Sequence, residues 1–145
     1  MNKQSQGVAW SDEYSLGNEQ VDVQHKKLFE LVSDLVIACM DGSDVKRLRE
    51  TLDFLIIYTI QHFHFEEELQ LRYHYPGYVN HKTLHDAFKA TVGELAEKLE
   101  KDGSSPELSN DVNKVIVQWL IRHILQEDKK IAEHIHTYQE LVGGS

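Results

Sequence analysis

The chain has one cysteine, two prolines, two tryptophans and no apolar run longer than Phe54–Ile60 in 145 residues, and each scarcity closes off a class of protein. A lone cysteine, Cys39, cannot form an internal disulfide. Its place on an apolar helical stripe reads as a small core residue, and a reducing compartment follows. A seven-residue apolar run falls far below the roughly 20 residues of a membrane span, and the N-terminal MNKQSQGVAW lacks the apolar centre of a signal peptide, so a cytoplasmic protein without membrane contact is expected. Basic residues are also short. The net charge is −9 and no basic cluster exceeds a lysine pair, which argues against nucleic acid as a partner. Whether the chain has a protein partner stays open at this point.

What remains is a helical chain of a size suited to one core, expected as a single domain over 1–145. Breaker signals near Asp41-Gly42, at Tyr75-Pro76-Gly77 and from Asp102 to Pro106 leave four long segments with helical periodicity. Ser104 with Glu107 forms a capping-box pattern, and Pro106 suits a first turn, so the fourth helix should begin there. Short connections favour antiparallel neighbours. The expected fold is an all-α, up-down-up-down antiparallel four-helix bundle (about 22–128), with an N-terminal arm (about 1–21) and a short C-terminal helical tail (about 129–145).

Polar residues sit on the apolar stripes. The first helix gives His25, Leu28, Val32, Leu35 and Cys39. The second gives Leu48, Leu52, Leu55, Thr59, His62, Glu66, Gln70 and Tyr73. The third runs His81, His85, Phe88, Val92, Leu95, Leu99, and the fourth Val112, Ile116, Trp119, His123. Five histidines and a carboxylate thus point inward, with a further acid at Asp128. Burying one unpartnered polar group costs on the order of 1–3 kcal/mol, and an unpaired charge costs more. A metal centre explains the whole array.

Spacings of four, His62 to Glu66 and His81 to His85, put two donors on one helix face. Five imidazoles, two bridging carboxylates and one bridging solvent oxygen would supply about eleven of the twelve positions of two octahedral metals, a set that excludes a tetrahedral zinc and suits iron or manganese. One open position invites a small ligand, with dioxygen the natural candidate. The five residues from His123 to Asp128 turn about 140° past a revolution of a regular helix, so a widened π turn or a helix end is expected there.

With these residues in place, the segments WSDEYSLGNEQVDVQHKKLFEL (10–31), HFHFEEELQ with YPGYVNHKTLHDAF (62–88) and WLIRHILQEDKK (119–130) resemble the bacterial hemerythrin family. The ordered series H, H-x3-E, H-x3-H and H-x4-D is specific and the segments span most of the chain. The resemblance implies two non-haem irons with a bridging oxo or hydroxo group. It assigns His25 and His62 to the iron with the open position, His81, His85 and His123 to the saturated iron, and Glu66 and Asp128 to the bridges. It also implies reversible dioxygen binding in a pocket of Leu28, Phe63, Trp119, Leu120 and Ile124. Two positions depart from the family. Gln70 stands where methionine is common and is expected to modulate how long the oxygenated state lasts; Ile131 stands where tyrosine is frequent. The reading is therefore an oxygen carrier, storage or delivery protein and not an enzyme. The alternatives are an oxygen or redox sensor module of a signalling protein and a di-iron oxidase, peroxidase or nitric oxide reductase. Paired E-x-x-H motifs of oxygen-activating bundles are missing, since only Glu133 to His136 has that spacing.

Overall fold

A computed structural model describes residues 9–40, 44–103 and 105–143. The expected first-helix end at Asp41-Gly42 and the Ser104 half of the capping box lie outside them. Among the described residues the regular structure is all helical. Helix α1 spans Glu19–Met40, α2 Val45–Arg72 and α3 Tyr78–Asp102. The fourth helix is composite: α4 (Pro106–Asp111), a π turn (Val112–Val117), α5 (Gln118–Arg122), a second π turn (His123–Asp128) and α6 (Lys129–Gly143). Every junction residue keeps right-handed helical dihedrals, so the chain runs through without a break. Helix α1 packs on α2, α2 on α3, and the fourth helix closes the bundle between α1 and α3.

Local chemistry sets the ends. Asn18 Oδ1 accepts from the Val21 amide at 3.1 Å, starting α1 at Glu19, inside the stretch expected as arm. Asp44 caps α2 by accepting from the Arg47 amide at 2.8 Å. The N-cap of α4 is Ser105, whose Oγ accepts from the Leu108 amide at 3.0 Å, with Pro106 at the first helical position. At the other end of α2, His74 has φ 55°, the left-handed conformation that usually falls to glycine, and the Tyr75 amide reaches back to the Gln70 carbonyl at 2.8 Å. Pro76 then prevents continuation.

The apolar stripes meet as one core running from Leu28 and Phe29 through Leu48, Leu52 and Leu99 to Ile116 and Ile124. One end of that core changes character. There the buried side chains are His25, His62, Glu66, Gln70, His81, His85, His123 and Asp128, each 4% exposed or less. No described helix is long and apolar enough to cross a membrane.

Candidate metal centre

Each helix delivers its share by register. On α1, His25 follows Val21 by one turn; on α2, His62 and Glu66 are one turn apart; on α3, His81 and His85 repeat that spacing. The fourth helix needs a different device, because Asp128 lies five positions after His123 instead of four. A π turn over His123–Asp128 supplies it: i to i+5 hydrogen bonding brings Asp128 back over His123. Both side chains are buried on the inner face as a result.

The two carboxylates stand between two sets of imidazoles. Glu66 Oε1 lies 3.2 Å from His85 Nε2 and 3.5 Å from His81 Nε2, while Oε2 lies 3.4 Å from His62 Nε2 and 3.5 Å from His25 Nε2. Asp128 divides its oxygens the same way. Oδ1 is 2.9 Å from His123 Nε2 and 3.2 Å from His81 Nε2, and Oδ2 is 3.1 Å from His25 Nε2. Two donor groups result, Glu66, His81, His85, His123, Asp128 and His25, His62, Glu66, Asp128, the potential ligand atoms within each lying within 4.8 Å of one another. All seven side chains that the sequence nominates are brought together.

The contacts fit a cation better than they fit one another. His123 Nε2 lies 3.1 Å from His81 Nε2 and 3.2 Å from His85 Nε2, so three imidazole nitrogens converge where hydrogen bonding alone would require protons on alternate rings. His25 Nε2, Glu66 Oε1 and Asp128 Oδ1 are buried and make no aligned hydrogen bond in spite of their close neighbours. Atoms crowded together but not paired are what a shared positive ion resolves. Without an ion, burial opposes ionisation of Glu66, yet the histidines around it, His62 foremost, hold its carboxyl well below the usual range. Asp128 is likewise lowered, with burial and Glu66 opposing and His123 favouring the ionised form. Burial works against a charged His25 and His81, but contact with Asp128 and Glu66 outweighs it and raises both to about 9.

Outer partners orient the rings. His62 Nδ1 lies 2.7 Å from Gln24 Oε1 and His85 Nδ1 lies 2.9 Å from Glu67 Oε2, so each Nδ1–H donates outward and leaves Nε2 free to face the centre. Neither is marked by sequence pattern; the one trace is adjacency, Gln24 before His25 and Glu67 inside the acidic run after His62. Phe63 stacks on His85 with centroids 3.7 Å apart at 2°, and Trp119 stacks on His123 at 4.3 Å and 11°. Of the expected gas pocket, Leu28, Phe63, Leu120 and Ile124 are buried and Trp119 is half-buried. Phe63 and Trp119 thus clamp histidines of the five-donor group, while Leu28 lies a turn beyond His25. Gln70 is fully buried and neither amide atom has a hydrogen-bond partner. The other histidines serve elsewhere: His64 pairs with Glu68 and His136 with Glu140 on exposed faces, His74 is exposed, and His134 Nε2 donates to the Tyr73 carbonyl at 2.6 Å.

Bundle and donor set together define a class: an all-α protein whose core holds histidines and carboxylates arranged for two metal ions. The model of the hemerythrin HHE cation binding domain matches residues 16–135, and the chain belongs to the hemerythrin family, whose domains bind a di-iron centre. It is 27% identical over 131 residues to a bacteriohemerythrin of Stenotrophomonas maltophilia, covering 90% of this chain and 83% of that one. A bacteriohemerythrin of Pseudomonas aeruginosa is also 27% identical, over 136 residues, with 93% and 86% covered. A hemerythrin-like protein of Naegleria gruberi is 31% identical over 121 residues, with 83% and 87% covered. Family and donor cluster fit a di-iron, oxygen-binding domain.

Proposed function

We propose that the protein binds dioxygen reversibly, as a carrier, store or delivery protein, with His25, His62, Glu66, His81, His85, His123 and Asp128 as the iron ligands. The observation that carries this is the unequal division of donors, five on one side and four on the other, with both carboxylates shared. Glu66, His81, His85, His123 and Asp128 would hold one iron with five protein donors, whereas His25, His62, Glu66 and Asp128 would hold the other with four and leave room there for a small ligand. Held by these residues as a ferrous pair, iron would supply the two electrons that reversible oxygenation needs.

The chain's own residues do the rest. Glu66 and Asp128 span the two positions and bring two negative charges, which offset part of the metal charge in a site closed to water. Gln24 and Glu67 hold the His62 and His85 rings by Nδ1. Phe63 and Trp119 cover the imidazoles of His85 and His123 and keep water from that flank. An oxidase would need a proton supply and room for a substrate, and apolar Leu28, Leu120 and Ile124 beside the histidines furnish neither.

Visible spectra of the reduced, iron-loaded protein before air, in air and after deoxygenation test the reading. The band gained in air should vanish on deoxygenation and return on a second exposure, with two irons per chain by metal analysis. Steady consumption of reductant would replace a carrier with an oxidase. One iron, or one zinc, per chain would end the two-metal assignment.

A further inference from the structure

The face of α2 turned away from the core is apolar in its middle. Phe54, Ile57 and Ile60 are 64%, 56% and 47% exposed and fall within two turns of the helix. Ile57 lies nine positions from both Leu48 and Glu66, half a turn out of phase with two buried residues, so it points straight out of the bundle. Phe54 and Ile60, three positions before and after it, flank it by about 60° on either side. Single exposed aliphatics are ordinary, but three on one stripe of one helix mark a contact surface.

Polar residues continue the stripe in both directions. Toward the N-terminus it carries Asp53, Glu50 and Lys46, and toward the C-terminus Gln61, His64 and Glu68, all exposed. Arg49, at the edge of the stripe, is already paired with Asp53 and, across to α3, with Glu100. Lys46 and Glu50 have no ion pair among the described residues. The order of these charges identifies the partner. A second α2 laid antiparallel on the first, with Ile57 against Ile57 on a two-fold axis, sets Phe54 level with Ile60, Asp53 with Gln61, Glu50 with His64 and Lys46 with Glu68. Each level joins apolar to apolar, carboxylate to hydrogen-bond donor, or cation to anion. Other registers fail. In parallel, Lys46, Glu50, Asp53 and Glu68 would each meet their own copies; sliding the antiparallel pair by one turn sets Glu50 against Glu68 in one direction and Asp53 against Ile57 in the other.

We propose that this face pairs with its own counterpart, making the protein a two-fold, antiparallel dimer through α2. The contact is a single helix pair, narrower than the interfaces of permanent dimers, so the dimer forms and dissociates reversibly. Sedimentation equilibrium of the iron-loaded full chain should show monomer and dimer in exchange, with a dissociation constant on the order of 10–100 µM. Ile57→Glu, which brings two carboxylates together on the axis, should be monomeric at every concentration, with native helical content by circular dichroism and native iron content. Glu68→Lys sets a lysine against Lys46 twice in each dimer and should weaken association about tenfold; adding Lys46→Glu should restore it to near the native value. A native chain that stays monomeric to millimolar concentration leaves this face to a different protein and overturns the proposal. A dimer that survives Ile57→Glu, or a double charge reversal that associates no more tightly than Glu68→Lys alone, overturns it as well.

Discussion

Glu66 and Gln70 occupy successive turns of one helix face, are equally buried, and have opposite accounts. Glu66 has four imidazole nitrogens within 3.5 Å, two on each oxygen, so its loss removes a ligand from both metal positions at once. Glu66→Ala should therefore lose the iron pair, whereas His25→Ala should retain iron at the five-donor position alone and fail to oxygenate; metal analysis with air spectra separates them. Reversible oxygenation by either variant would contradict the assigned roles. Gln70 has no such reason to be polar. Its amide oxygen and nitrogen are buried without partners, a cost of about 1–3 kcal/mol for each unsatisfied group. Methionine has a similar volume and no amide to desolvate, so Gln70→Met should stabilise the protein by about 1 kcal/mol in chemical denaturation. The same change removes a hydrogen-bonding group one turn from Glu66, and autoxidation should slow at unchanged iron content. A methionine variant that is less stable would mean the amide has found partners; unchanged or faster autoxidation would remove Gln70 from control of the oxygenated state.

Elements show where the sequence was readable. Stripes on α1, α2 and α3 follow regular alternation of three and four, and every donor placed by them is buried as expected, from His25 to His85. On the fourth helix the same reading put Trp119 in the stripe, yet Trp119 is half-buried and Leu120 is the fully packed neighbour. The buried series is Leu108, Val112, Ile116, Leu120, Ile124, Asp128, an unbroken step of four. In a regular helix each such step drifts about 40° and the stripe would wind off the core, so the turns must widen. The two π turns, Val112–Val117 and His123–Asp128, do this. The second was legible because a ligand spacing demanded it; the first was not, because its only trace is that step of four in aliphatic residues. Helix entry was legible to within one residue: Pro106 opens α4, but the cap is Ser105. Loss of that cap, Ser105→Ala, should cost about 1 kcal/mol and leave iron content unaltered, as thermal melts and metal analysis of the iron-loaded variant would show. A melting temperature equal to the native one would mean that the cap bond to Leu108 is replaced by solvent without loss.

The whole molecule depends on what fills its polar end, and metal-free protein offers the clearest test. Five imidazoles and two carboxylates are packed together at 4% exposure or less, so the bundle is stable only when their charges are balanced. Iron does this in one way and protons in another. In the metal-free chain, burial disfavours charge on His25 and His81, but Asp128 and Glu66 beside them prevail and raise both to about 9 from 6.5, while the two carboxyls are held below their ordinary range. The signs then follow. A histidine raised in the folded state contributes stability that is complete below about pH 6.5 and disappears as the pH passes 9. A lowered carboxylate contributes stability that is present above its ordinary value and disappears as the pH falls through its folded one. Metal-free protein should thus be most stable between the ordinary carboxylate range and about pH 6.5, and its melting temperature should fall steadily from there to beyond pH 9. Iron-loaded protein should melt higher at every pH in that interval and vary less, because its imidazoles bind metal as neutral rings and release no proton on alkaline titration. Calorimetry of both forms across the interval decides it. A metal-free melting temperature that is flat between pH 6.5 and 9, or equal to that of the iron-loaded form, would mean that the seven side chains do not share a buried charge balance.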